Sequence, residues 1–119
     1  MSQEKRALFI GRWQTPYLHQ GHLWCFEQKL NQGIPILIGV RDVSLDEKNP
    51  YTAQQVYDMI TKHYEKEIAN GSVKVFILPC DISTVCYGRG VGYEIEELTP
   101  PSDIAAVSAT QIRANENKQ

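Results

Sequence analysis

Apolar residues gather into three short runs along the chain, Ala7–Ile10, Ile34–Val40 and Val73–Leu78. The first two are nearly continuous rather than alternating, the pattern of strands buried on both faces of a parallel sheet, while Lys74 interrupts the third. Two stretches of helical spacing lie between them. In the first, predicted over Gly21–Gln32, Leu23, Phe26 and Leu30 share a face and Gly33 supplies a stop. In the second, predicted as one helix from Thr52 to Ala69, Val56, Met59, Ile60, Tyr64 and Ile68 form the apolar stripe. Thr52 and Gln55 have the spacing of a capping box, Tyr51 and Val56 that of a hydrophobic staple, and Asn70-Gly71 closes the helix.

Strand, helix, strand, helix and strand in that order, with short connections, predict right-handed crossovers and a parallel α/β sheet of Rossmann type with helices on both faces. Beyond Pro79 the pattern weakens. Cys80–Gly92 reads as a long loop, Tyr93–Leu98 is ambiguous, and Ile104–Val107 is a candidate last strand. Ser108 and Gln111 then repeat the capping-box spacing at the head of a final helix, with Val107 and Ile112 as staple partners.

The 119 residues predict one domain spanning 1–119. A net charge of −2 provides no general field for nucleic acid or anionic membranes, so any anion site must be built locally. The 3 cysteines, Cys25, Cys80 and Cys86, form no C-x-x-C pair, which argues against a disulfide framework or a zinc cluster and for a reducing compartment. No apolar run approaches the roughly 20 residues that span a bilayer, and the start of the chain lacks a signal-peptide core. A soluble cytoplasmic protein is expected.

Ligands of open parallel sheets bind beyond the carboxyl ends of the strands. Three segments arrive there: Gly11–His22, Arg41–Tyr51 and Pro79–Gly92. The first holds Gly11-Arg12-Trp13-Gln14 as it leaves the strand and His19-Gln20-Gly21-His22 as it opens the helix. Glycine at position 21 permits close backbone approach, two imidazoles three residues apart fall on one side of a first turn, and helix-start amides favour anions. Together they suit a phosphate whose charge grows during transfer.

His19-Gln20-Gly21-His22 resembles the H-x-G-H signature of the nucleotidylyltransferase superfamily. Gly11–Gln14 resembles the G-R-F/W-Q opening of its adenylyltransferases, Asn49-Pro50-Tyr51-Thr52 resembles their N-P-F-T/S, and Ser108-Ala109-Thr110-Gln111-Ile112-Arg113 resembles the second signature, I-S-S-T-x-x-R. The chain departs from that pattern in a first loop two residues longer, through Thr15–Leu18, in Ala109 where a serine is usual, and in ending soon after Arg113. The resemblance implies the HUP-type nucleotidylyltransferase fold and transfer of a nucleoside monophosphate from ATP or CTP to a small phosphorylated acceptor. Pyrophosphate is released, and Mg²⁺ is carried mainly by the triphosphate. The opening motif leans toward adenylyl transfer, as in nicotinamide mononucleotide or phosphopantetheine adenylyltransferases; the short chain leans toward cytidylyl transfer, as in glycerol-3-phosphate cytidylyltransferase.

By the same resemblance His19, His22 and Arg113 are the catalytic candidates. Gly11, Arg12, Trp13, Gln14, Gly21, Arg89, Ser108, Ala109 and Thr110 are candidates for holding the nucleotide, and Arg41 for the acceptor's phosphate. No residue is assigned as a direct metal ligand; Asp42, Asp46 and Glu47 read first as an ordinary acidic surface loop and second as groups that could meet the water shell of Mg²⁺. Tyr87–Tyr93 is glycine-rich without the spacing of a phosphate-binding P-loop and is read either as the base pocket or a wall beside it, or as a structural cluster of turns. His63 falls in neither motif and is read as a surface or packing residue. A homodimer is expected, with no nucleic-acid or membrane partner. The competing readings are a nucleotide-sensing module without chemistry and a fragment like the class I aminoacyl-tRNA synthetase core, which lacks support in the absent K-M-S-K-S lysines.

Overall fold

The computed structural model describes residues 5–79 and 82–101. Six elements follow in order: strand β1 (Ala7–Gly11), helix α1 (Gln20–Leu30), strand β2 (Ile36–Arg41), helix α2 (Ala53–His63), the short helix α3 (Glu65–Ala69) and strand β3 (Val73–Leu78). The strands form a parallel sheet in the order β1-β2-β3, with Ala7 beside Ile36 and Ile36 beside Val73. This is the predicted Rossmann-like α/β arrangement. The candidate strand at 104–107 and the helix start at 108–113 lie outside the described residues.

Because lateral neighbours in a parallel ladder share a face, the register sorts the sheet in two. Ala7, Phe9, Ile36, Ile38, Val40, Val73 and Val75 all join the core with Leu23, Phe26 and Leu30 of α1, Val56, Met59 and Ile60 of α2, and Ile68 of α3. The described helices therefore share one face, as right-handed crossovers stepping in one direction require. Of the helices expected on both faces, these occupy one. On the other face Leu8 is 54% and Ile10 43% exposed, so β1 is not buried on both sides as its continuous apolar run suggested. Run length alone cannot tell a doubly covered strand from one with an open side. On that second face Gly39 leaves room for Phe76, whose ring tip would lie 3.1 Å from any added Cβ.

Phe26, fully buried, is the centre of the helical layer, with Phe9 edge-on at 5.1 Å, Trp13 tilted at 5.1 Å and Tyr64 edge-on at 6.1 Å. α1 ends two residues before the predicted Gln32. Gly33, at φ +76°, permits a Schellman closure in which the Gly33 N–H donates to the Leu30 carbonyl and the Ile34 N–H to that of Lys29. The single helix predicted over Thr52–Ala69 is broken at Tyr64, whose backbone leaves the helical region at φ −103°, ψ 28°. Tyr64 donates to Ile60 and accepts from Ile68 across the break, so the apolar residues keep their spacing and the pattern conceals it.

The predicted capping box at the head of α2 is present: the Gln55 N–H donates to Thr52 Oγ1 at 3.1 Å and the Thr52 N–H to Gln55 Oε1 at 2.7 Å. Replacing Thr52 by Ala removes one of these bonds and should cost about 1 kcal/mol. Urea unfolding of the variant will show this as a lowered midpoint with an unchanged slope. No shift would mean that α2 is held at its start by other contacts.

Candidate functional site at the head of α1

The site is built where β1 ends and the chain must turn back over the sheet. Trp13 makes the turn in the left-handed region, at φ +51°. Its indole lies across Gly11, where an added Cβ would come within 2.8 Å of the ring, and its Nε1–H donates to the Gly39 carbonyl at 3.1 Å. Gly11 is therefore a seat for the indole. The longer loop that follows carries its own anchors, Thr15 at 2% and Leu18 at 5% exposure.

His19 is the N-cap of α1, and its side chain performs the capping. Nδ1 accepts from the Gly21 N–H at 3.0 Å and the His22 N–H at 3.3 Å. An imidazole nitrogen that accepts carries no proton, so these bonds assign the proton of the neutral ring to Nε2. Gly21 is needed for this geometry, because an added Cβ would stand 2.9 Å from His19 Cε1. The room left by Gly21, anticipated as space for a ligand, is occupied by the His19 ring. That ring also takes two of the amides expected to be open to an anion.

His22 stacks on His19 with ring centres 3.6 Å apart and planes 20° from parallel, and meets Trp13 edge-on at 5.1 Å. Two cations could not be held in that stack without cost. Burial lowers the pKa of His19. Burial and then the neighbouring His19 push that of His22 down to about 3. Both rings are therefore neutral near pH 7, and each presents its polar edge as a dipole rather than as a charge. His22 Nδ1 and Thr15 Oγ1 are buried without a hydrogen-bond partner among the described residues.

Behind the histidines, the loop after β1 is tied to the loop after β2 at two places. Gln14, 4% exposed, donates through Nε2 to the Tyr51 carbonyl at 3.0 Å and accepts through Oε1 from the Tyr51 N–H at 2.9 Å. Arg12 donates to Asn49 Oδ1 at 3.2 Å, and Asn49 donates in turn to Asp46 Oδ1 through its side chain at 3.0 Å and its N–H at 2.7 Å. The Lys48 N–H adds a third bond to the same oxygen at 2.8 Å. These bonds, led by the Asn49 backbone, lower the pKa of Asp46. Asp46, read as a possible neighbour of Mg²⁺, thus serves as the anchor of an Asx-type turn. The Asp46–Asn49 spacing was the available signal for that turn, but nothing in the sequence paired Gln14 with Tyr51.

The remaining sequence-predicted residues lie elsewhere. Arg41 ends β2, exposed, and with Ile10, Asp42, Ser44, Leu78 and Thr84 lines a cavity of about 700 Å³ over the carboxyl edge of the sheet that neither His19 nor His22 lines. Arg89 is exposed beside Gly90, at φ +80°, in a segment without regular structure. Ser108, Ala109, Thr110 and Arg113 lie outside the described residues. His63 is exposed at the end of α2 with its ring edge-on to Tyr64 at 4.6 Å. Among the described residues no group of three His, Cys, Asp or Glu side chains could hold a metal ion, and no helix is long and apolar enough to cross a membrane.

With strand, loop and capped helix in place, comparison with curated proteins relates the chain, over most of its length, to the H-x-G-H nucleotidylyltransferase superfamily. The relatives it resembles are named nicotinamide-nucleotide adenylyltransferases. That of Methanococcus aeolicus is 36% identical over 103 residues, covering 83% of this chain and 54% of the relative. That of Thermoplasma acidophilum is 31% identical over 113 residues, covering 93% and 59%, and that of Methanococcus maripaludis 33% identical over 98 residues, covering 81% and 53%. The chain thus spans between half and three-fifths of the length of the relatives it matches. Neither a protein-family model nor a solved structure matches it.

The depressed pKa of His22 makes the fold sensitive to acid. Below the ordinary histidine value of 6.5 the unfolded chain binds a proton that the folded chain refuses until about pH 3, so stability falls as pH drops through that window. Between pH 7 and pH 5 the loss from His22 alone should be about 2 kcal/mol. Urea unfolding at the two pH values should show it in the wild type and show distinctly less in a His22→Asn variant. Equal losses in both proteins would mean that His22 titrates normally.

Proposed function

We propose that the chain is a nucleotidyl-transfer domain that moves AMP from ATP to a small phosphorylated acceptor and releases pyrophosphate. The observation that carries this reading is the pair of neutral, stacked imidazoles at the capped start of α1, beyond the carboxyl end of β1. The adenylyltransferase names of the relatives favour ATP over CTP. Their acceptor, a nicotinamide nucleotide by name, heads the list to be tried.

In the reaction an oxygen of the acceptor's phosphate attacks the α-phosphorus of ATP. A new P–O–P linkage forms, the bond from the α-phosphorus to the oxygen bridging the β-phosphate breaks, and pyrophosphate leaves with that electron pair. A phosphate monoester is largely anionic at pH 7, so the attack needs no strong base. The chain's part is position and donated hydrogen bonds. His19 Nε2–H and the polar edge of His22 face the charge that accumulates on the transferring phosphoryl group. Gly11 and Gly21 let Trp13 and His19 close down on the backbone beside them. Arg113 with Ser108, Ala109 and Thr110 would hold the outer phosphates, and Arg89 the base side. Arg41, at the mouth of the cavity, would receive the acceptor's phosphate, and apolar Ile10 and Leu78 the less polar remainder. Mg²⁺ would arrive with the triphosphate and offset its charge. A second copy of the chain completes the proposal as a homodimer.

Because both rings are neutral when empty, a bound polyphosphate should raise their pKa values, and ATP binding should take up protons between pH 5 and 7.

The test is pyrophosphate release with ATP, and separately CTP, in the presence of Mg²⁺. Acceptors are nicotinamide mononucleotide, phosphopantetheine, glycerol-3-phosphate and sugar phosphates. Release is expected with ATP and one acceptor, and a loss on the order of 10²-fold or more in His22→Ala, with the variant's folding checked by its unfolding curve. Near-normal turnover in a folded His22→Ala protein would remove the histidine from the mechanism. ATP binding without release from any acceptor would mark a sensing module instead.

A further inference from the structure

Gln14 stands in the motif read as nucleotide-binding, yet its side chain grips a peptide of another loop. We propose that Gln14 is a positioning residue that locks the loop after β2 to the loop after β1, so that a nucleotide seated at the His19–His22 turn also fixes the wall of the acceptor cavity. This rests on the reading of the site given above.

The amide of Gln14 meets both the N–H and the carbonyl of Tyr51, at 2.9 Å and 3.0 Å, in the manner of one more rung of a ladder. The pairing sets its orientation, since a flipped amide would bring donor to donor and acceptor to acceptor. At 4% exposure no water competes for these bonds. Tyr51 is the residue before the Thr52 cap, so the same grip sets where α2 starts. The second tie, Arg12 to Asn49 to Asp46, pins the middle of the same loop. Arg41, Asp42, Val43 and Ser44, the first residues of that loop and the end of β2, line the cavity. A shift of the Gly11–Gln14 segment is thereby passed through two short bridges to residues 46–51, and from there along Leu45 to the cavity wall at residues 41–44. The segment that follows Trp13 cannot adjust independently of residues 46–51.

Amide hydrogen exchange tests the lock without relying on catalysis. In Gln14→Ala the Tyr51 N–H should exchange at least tenfold faster while the amides of β2 keep their protection. In Gln14→Glu that N–H keeps an acceptor while the second carboxylate oxygen meets the Tyr51 carbonyl acceptor to acceptor, so its exchange should fall between the wild-type and Gln14→Ala rates. Asn49→Ala, which cuts the other bridge, should loosen residues 44–50 in the same way. ATP should slow exchange across residues 44–52 in the wild type and fail to do so in Gln14→Ala. In steady state the Gln14→Ala protein should show an acceptor KM raised about fivefold or more, with the ATP KM within twofold of normal. An unchanged Tyr51 rate would overturn the lock, and a raised ATP KM with a normal acceptor KM would return Gln14 to direct nucleotide contact. A wild type that releases no pyrophosphate would defeat the functional reading while leaving the exchange result to decide the lock.

Discussion

The loop leaving β1 must reverse direction within a few residues to bring α1 back over the sheet, and Trp13 is where that is done. A left-handed backbone at a residue with a Cβ costs roughly 1–2 kcal/mol. The indole offsets this by its contacts. It donates one hydrogen bond to the Gly39 carbonyl, packs against Phe26 in the core, and presents its edge or face to His22. A hydrogen bond is worth about 1 kcal/mol and an aromatic pair about 0.5–1.5 kcal/mol. The sum exceeds the strain, which explains a large aromatic with one donor at a place where glycine would be the unstrained choice. The same side chain couples the core to the site: whatever moves Phe26 or Gly39 moves the surface on which His22 rests.

That arrangement also decides the electrostatics. Burial of His22 and its stacking on His19 keep positive charge out of the head of α1. Arg12, the nearest cationic residue in sequence, is engaged by Asn49. Under the proposed function, attraction for a triphosphate would have to come from oriented N–H dipoles and from protons taken up on binding. A dipolar site of this kind carries no large field of its own, in keeping with a chain whose net charge is −2.

Much of this was legible in the sequence because it rests on local chemistry. The three strands, the capping box at Thr52 and Gln55, the stop at Gly33 and the placement of the H-x-G-H turn between strand and helix all depend on residues close together in the chain. What was not legible depended on partners far apart. The break at Tyr64 keeps the apolar spacing of a continuous helix, so no periodic argument could find it. The open side of β1 depends on where both crossovers pass, which the run Ala7–Ile10 does not encode. Gln14 and Tyr51 are joined through backbone atoms, and a main-chain amide has no sequence signature at all.

The first loop shows why the histidines can keep their station whatever the length of the chain that leads to them. Two fixed points bracket it, Trp13 on the sheet and the His19 cap on the helix. Between them Thr15 and Leu18 are buried while Tyr17 is 57% exposed, so the loop bulges outward at its middle and is anchored on either side. Loop length costs little entropy once both ends are fixed, roughly 0.6 kcal/mol per doubling. The imidazoles take their position from Gly21, from each other and from Trp13, none of which changes when the bulge grows. The residues between these anchors therefore shape the surface beside the site and leave the geometry of the two rings to the helix that carries them.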